Sequence, residues 1–531
     1  MNFQLRYSKE TLPVISPAQN GPGRTFEVSK VYDRYGKLIW EKSPRGFISH
    51  YQYDVATGTM IRKIEDVDST KVVCPDGWVT PKSGGLHLVT DYEIDRFGRV
   101  IRELGPVHQV QINPTDLGTT AVREVLFTLY LDEIREVRRA RGYATGTWGS
   151  YTFTTVGSVV ITRTNVGPTG MIEERLEAVR LSNAGTPTEA ETFTERSRWR
   201  RWSFTTSDQW GKILEGRVYH KIPPTGFGDQ NADYEMVEYG YDEMERLVFL
   251  KDETGTITRT VFDVRGYAVE TWVGTNDAGA TNQFPRPPVD PPPANNMVLV
   301  TRNVYDDGLA GGNGYLTKVI RKVNDNANED RIEERKYSFQ GFPTEVKSND
   351  GTRDILTFYT YNNAGQVIEA FRYRDLKAEG NYLGAEFTRY DDLGRVYCTE
   401  TKGATEAGVL LPEPLVTQRW YDASGNLIKE TGPSTKAAVK YLYDGIERNR
   451  ARYIVLEGEH PGSSGSGGGT SGSGGIPGSS GSGSDSGGFG FSSDSEGSEG
   501  SSGSSANSSG SGSRGGCDSR SGGSSANTSG S

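Results

Sequence analysis

The hydrophobic pattern of this chain is strand-like and repetitive, not helical. A large apolar residue is followed by Asp, two variable residues, Gly, one more residue and two apolar positions. Tyr32-Asp33 leads to Gly36, Leu38 and Ile39; Tyr53-Asp54 leads, with one extra residue, to Gly58, Met60 and Ile61. Ile94-Asp95 leads to Gly98, Asp208 to Gly211, and Phe262-Asp263 to Gly266. Tyr361-Asn362 leads to Gly365, Tyr390-Asp391 to Gly394, and Tyr421-Asp422 to Gly425. Weaker copies follow Tyr241-Asp242 and Tyr443-Asp444, where Glu245 and Glu447 stand in the Gly position, and Tyr305-Asp306, whose Gly308 comes early. Successive Asp residues are 21 (33 to 54), 41 (54 to 95), 21 (242 to 263), 43 (263 to 306) and 22 (422 to 444) apart. The unit is therefore about 21 residues, and the two long gaps read as places where a degraded copy intervenes.

Each position has a physical reason. An Asp or Asn side chain accepts backbone amides just downstream and so starts a turn. Gly three residues later supplies the positive φ that a hairpin loop needs at its exit. Aromatic and β-branched residues on either side suit the two strands being joined. The motif predicts strand–turn–strand, and its recurrence predicts an all-β architecture of repeated hairpins.

These residues carry a resemblance. Stretches such as Val31-Tyr-Asp-Arg-Tyr-Gly-Lys-Leu-Ile39 and Thr388-Arg-Tyr-Asp-Asp-Leu-Gly-Arg-Val396 resemble the RHS/YD-repeat family of bacterial repeat proteins, with teneurins as animal relatives. The resemblance spans about residues 25–456. It implies a long curled sheet or partial β shell of hairpins, an extracellular or cell-surface place, and in toxin-related members an enclosed C-terminal effector. The motif at which such toxins are cut free is of DPxGL type. The single Asp-Pro pair here, Asp290-Pro291, continues into Pro292 and Pro293 instead and does not follow the last repeat.

The expected organisation is a poorly defined segment over 1–24, a repeat region over 25–284 with a degenerate β middle at about 110–220, a Pro-rich loop over 285–296, a second repeat region over 297–456, and a tail over 457–531. In the middle, Leu126, Tyr130, Ile134 and Val137 fit a helical stripe, but Leu131-Asp132 followed by Ile134 also fits strand–turn–strand, and the Thr- and Val-rich surroundings favour the strand. Composition sets the tail apart. From Pro461 to Ser531 there are 24 Gly and 28 Ser, 52 of 71 residues, whereas the other 460 residues hold 67 − 24 = 43 Gly. Such a tail cannot bury enough apolar surface to offset its ordering entropy and reads as a disordered linker. Its Asn507 and Asn527 lie in glycosylation-type sequons, a chance match in Ser-rich sequence.

Several chemistries fall away. Cys74, Cys398 and Cys517 form no CxxC pair, and His50, His87, His108, His220 and His460 form no HxxxH or HExxH, so no metal centre and no cofactor are expected. No phosphate-cradling or nucleophile-elbow motif occurs. Without the tail there are 57 bases against 64 acids, a balance that argues against a nucleic-acid partner. No apolar run is long enough for a membrane-spanning helix, and no secretory signal is visible.

Three features could carry binding. The run Arg196-Ser-Arg-Trp-Arg-Arg-Trp202 could contact nucleic acid; on a strand, Arg196, Arg198 and Arg200 would instead form one ladder with Trp199 on the other face. The run Arg135–Arg141 reads as a solvated face. The repeat aromatics Tyr32, Tyr53, Tyr241, Phe262, Tyr305, Tyr361, Tyr390, Tyr421 and Tyr443 could stack on sugars, but their constant place in the unit reads as strand packing. One Asp per turn is far short of a calcium shell. The expected function is a non-enzymatic structural segment of a larger secreted or surface protein. Alternatives are the carrier part of a polymorphic toxin lacking its effector here, or a carbohydrate-binding adhesin. The expected partners are the rest of a parent chain and, by the family resemblance, glycans or an effector.

Overall fold

The computed structural model describes residues 5–456 apart from 113–117, 148, 288–294, 307–312, 350–352 and 433–436. The tail with its sequons and Cys517, Gly308, and most of the Pro-rich loop lie outside the described residues.

The chain divides after Val455 into two units. The first unit is all-β. Its 29 described strands, from Tyr7–Leu12 to Asn449–Leu456, belong to one sheet. Each strand pairs antiparallel with its neighbours in sequence, so the sheet is a continuous meander. Among the described residues helix is confined to four single 3₁₀ turns. Among the described residues no helix is long and apolar enough to cross a membrane.

A meander has two rims. On one lie the Asp turns; on the other lie longer connections such as residues 66–87. This accounts for the long repeat gaps. Among the described residues no degraded copy stands between Asp54 and Asp95 or between Asp263 and Asp306; in each case the connection on the second rim is long. A degraded copy that the motif did not reveal is the turn Ser338–Gly341, between the strands Arg331–Tyr337 and Pro343–Asn349.

Over much of its length the sheet is a single layer. Every residue of Ala268–Gly274 and of Pro343–Asn349 is half-buried, because neither face is covered by a second sheet. Cross-strand pairs then carry the cohesion. Lys251 faces Glu238, Arg302 faces Glu270, Lys318 faces Glu334 and Arg419 faces Glu430, each as an ion pair of 2.8–3.0 Å. Exposed pairs of this kind contribute at most about 1 kcal/mol each, so it is their number along the sheet that matters.

Two stretches have a true core. Trp40, Ile48, Ile64 and Val67 cluster near the start. The larger core, with Leu104, Val125, Phe127, Ile161, Leu176 and Trp202, lies in the middle that lacks clear repeats. There the strands lengthen, reaching Thr152–Gly167, and Phe193 from an intervening loop is buried among them. The strand Thr120–Leu131 buries Val125 and Phe127 and exposes Leu126, the alternation of a strand and not of a helix.

That core also encloses charge. Buried Arg123 donates to Asp91 at 2.6 Å, to the Tyr151 hydroxyl at 3.1 Å, and to the carbonyls of Val89 and Leu104 at 2.9 and 2.7 Å. Buried Glu136 accepts from Arg138 at 2.5 Å and from Arg163 at 2.6 Å, while Arg138 reaches the Thr188 carbonyl at 2.6 Å. The run Arg135–Arg141 is therefore only in part a solvated face: Arg135, Arg139 and Arg141 are exposed, while Glu136 and Arg138 turn inward and find each other. Buried charges persist only when so paired.

Candidate functional site

The repeat turns share one construction. Asp33 Oδ1 accepts the backbone amides of Tyr35 at 2.8 Å and Lys37 at 2.9 Å. Asp95, Asp208, Asp242, Asp263, Asp391, Asp422, Asp444 and the Asn362 amide oxygen each accept the amides two and four residues on in the same way. Asp54, with its extra residue, accepts from the Thr57 amide at 2.7 Å instead. Asp306 starts a wider turn, its amide donating to the Tyr315 carbonyl at 2.8 Å.

Gly36, Gly58, Gly98, Gly211, Gly266, Gly365, Gly394 and Gly425 all take positive φ. Glu245 and Glu447, at the Gly position of the weaker copies, adopt φ of 68° and 65°. Beside the turns from Asp33 to Asp422 the pairing register slips, as between Val31 and Tyr32, so the turn and a bulge form one device. One further turn of this construction stands outside the aromatic-led series: Asp252 accepts from Thr254 and Thr256 and Gly255 follows at φ of 82°, but on the opposite rim.

The repeat tyrosines do more than pack. Tyr53 donates its hydroxyl to the Leu38 carbonyl at 3.0 Å, Tyr241 to Ile213 at 3.0 Å, Tyr305 to Ala268 at 3.2 Å and Tyr361 to Pro343 at 2.6 Å. Tyr390 donates to Val367 at 3.0 Å, Tyr421 to Val396 at 2.8 Å and Tyr443 to Leu427 at 3.0 Å. In every case the acceptor is two residues past the turn glycine of the preceding copy. Tyr337, ahead of the Ser338 turn, makes the same bond to Leu316 at 2.7 Å. Tyr32 opens the series, and Phe262 has no hydroxyl to give. Burial pushes the phenols of Tyr53, Tyr305, Tyr361, Tyr390, Tyr421 and Tyr443 upward, so each keeps the proton it donates.

A further position completes the unit. In several copies the residue four past the turn Asp lies over the next repeat aromatic. Lys37 covers Tyr53 at 4.9 Å, Arg246 covers Phe262 at 4.6 Å and Arg395 covers Tyr421 at 4.7 Å. Where that residue is aromatic it stacks instead, as Tyr267 does on Tyr305 at 4.6 Å. Arg246 and Arg395 also hold their own turn carboxylates at 2.7 Å and reach the next turn's Asp carbonyl. At Asp242 burial opposes the charge, and the bonds from Arg246 outweigh it, leaving the carboxyl below its usual range. The signal for this position was present, a cation or aromatic after Gly36, Gly98, Gly211, Gly266 and Gly394 though not after Gly58, Gly365 or Gly425, but it has meaning only once adjacent hairpins are known to stack.

The basic-aromatic run is built otherwise than a strand ladder. Arg196–Arg198 form a 3₁₀ turn, and the strand begins at Trp199. Arg196 lies over both Trp199 and Trp202, at 5.0 and 4.7 Å, so the arginine and the tryptophans share a face. Trp202 is buried and stacks on Tyr219 at 4.1 Å. His50 stacks on Trp40 at 3.8 Å, and burial lowers its pKa. Among the described residues no three His, Cys, Asp or Glu side chains are grouped to hold a metal ion.

The most distinctive contact joins the two ends of the first unit. Arg45 donates to the carbonyls of Tyr443 and Asp444, both at 2.9 Å, and lies 3.3 Å from the Asp422 carboxylate. Asn20 donates to the carbonyls of Tyr397 and Arg419 at 3.1 Å, and Gln19 to Asp392 at 3.0 Å. Gly445 sits against buried Asp66 so closely that a Cβ there would lie 2.4 Å from the carboxyl carbon. The sheet therefore curls until the loop rim of its first hairpins meets the turn rim of its last. This clasp was not legible in the sequence: its partners are about 400 residues apart and belong to no motif.

No family model and no curated protein matches the chain. In structure it is similar to the Tc holotoxin pore of Photorhabdus luminescens, with 15% sequence identity and a TM-score of 0.32 over 81% of this chain and 22% of that one. TcdB2-TccC3 without its hypervariable C-terminal region gives the same figures. TcdB2-TccC3-Cdc42 gives a TM-score of 0.33 and 23% coverage of that chain. The chain thus spans less than a quarter of the length of the proteins it is similar to.

Proposed function

We propose that this chain is a non-enzymatic structural segment, of the RHS/YD-repeat kind its motifs resemble, within a larger secreted or surface protein. The observation that carries this reading is where its polar side chains are spent. The turn carboxylates are occupied by backbone amides, the repeat phenols by carbonyls of the preceding hairpin, and the cations by carboxylates and aromatic faces. Such a set of interactions builds a wall, with the groups that general acid–base chemistry would use already occupied in these turns and pairs. The family resemblance implies that the wall encloses or presents cargo carried elsewhere in the parent chain.

Thermal unfolding of the full chain tests the reading. EDTA, divalent metals, nucleotides and simple sugars are each expected to leave the midpoint unchanged. A midpoint raised in a saturable way by one of them would reveal a built binding site and overturn the structural assignment.

A further inference from the structure

We propose that the uncovered stretch of the turn rim is an interface for a second copy of this chain, taking that copy's loop rim. The same rim is already an interface a little further along. At Asp392, Asp422, Tyr443 and Asp444 it receives Gln19 and Arg45 from the chain's own loop rim, through carbonyls and carboxylates at the turn tips. The turns under the clasp carry half-buried tips at Ala423, Ser424, Gly445 and Ile446, while Asp392 and Leu393 on the clasp's edge stay exposed.

Beyond the clasp six turns hold out large apolar tips, although the Asn362 turn keeps the small Asn363 and Ala364. Tyr35 is 56% exposed, Phe97 61%, Trp210 71%, Met244 67%, Val264 96% and Phe339 88%. All stand at the second or third position of a repeat turn, on one rim. Their turns keep the carbonyl geometry that the clasp uses. A row of large apolar side chains held out on rigid turns is the pattern of an unsatisfied contact surface. The loop rim is matched to it, with Leu181 81%, Leu376 67% and Val409 55% exposed outside the clasp. Joining one rim to the other on a second molecule repeats the relation already made within the chain. The two surfaces differ, so the contact is heterologous and does not close on itself at two copies.

Sedimentation velocity of the full chain over a concentration series tests this. The expected result is a mass that grows with concentration. Trp210→Glu with Phe97→Glu on the turn rim, or Leu376→Glu with Val409→Glu on the loop rim, should each weaken association by about tenfold or more. Because the rims differ, mixing the two variants should restore a two-chain species and nothing larger. These side chains are exposed, so the substitutions leave the core in place, and unchanged far-ultraviolet circular dichroism verifies that. A monomer at every concentration, or association unaltered in both variants, would overturn the proposal.

Discussion

Glu245 and Glu447 hold backbone conformations that glycine takes in the other copies, with φ of 68° and 65°. A left-handed conformation costs a residue with a Cβ about 1–2 kcal/mol. Glu245→Gly and Glu447→Gly should therefore each raise the unfolding midpoint, by about 1 kcal/mol of stability. Gly36→Ala should lower it by a similar amount, since φ there is 81° and nothing lies within 4 Å of the added methyl. Urea titration of the three variants checks sign and size together. The repeat phenols make a second prediction. Tyr390→Phe keeps the ring and removes the hydroxyl, leaving the Val367 carbonyl short of a donor, and should cost about 1 kcal/mol. If the ring alone matters, the variant will unfold with the wild type.

At the scale of the hairpin, proton uptake is the sensitive variable. The carboxyls of Asp242, Asp263 and Asp444 are held below their usual range: burial works against them, and bonds from Arg246, from Tyr267 and Arg265, and from Arg448 respectively outweigh it. A depressed folded pKa means stability present above the unfolded value, near 4, and lost as pH falls through the folded one. The phenols have the opposite sign. Raised by burial, they contribute stability below about pH 10 that is lost as pH rises through their folded values. Melting temperatures should thus fall at both ends, below about pH 4 and above about pH 10, with a plateau between.

The hairpins were legible in the sequence because each is local. An Asp, a Gly three residues on and flanking apolar positions lie within reach of one turn, and the all-β fold follows from their recurrence. Long-range features were not. The run Arg196–Trp202 gave no hint that its first three residues would form a 3₁₀ turn, because the stacking of Arg196 on Trp202 depends on a core assembled from distant strands. The burial of Glu136 and Arg138 has the same origin, with Thr188 and Arg163 as partners. The spacing that suggested missing repeats was loop length on the far rim, which a turn motif does not encode.

At the scale of the first unit, a meander of local hairpins has no inherent reason to bring its ends together. Curl accumulates from strand twist and from the bulge beside each turn, and the clasp fixes where it stops. Asn20, Arg45, Asp66 and Gly445 are then the residues on which closure depends, though none lies in a core of the strip. Gly445→Val should loosen the contact while leaving each hairpin intact. Hydrogen exchange would then quicken around residues 43–47 and 443–446 and stay unchanged in the strand Val367–Arg374.

The most direct test is a double-mutant cycle between Arg45 and Asp422, which are 377 residues apart in sequence and 3.3 Å apart in the fold. Arg45→Ala, Asp422→Asn and the double variant are compared with the parent chain by urea unfolding. Closure by the clasp predicts a coupling energy of about 0.5–3 kcal/mol between the two positions. Single-variant effects that simply add would mean that the first and last hairpins do not meet.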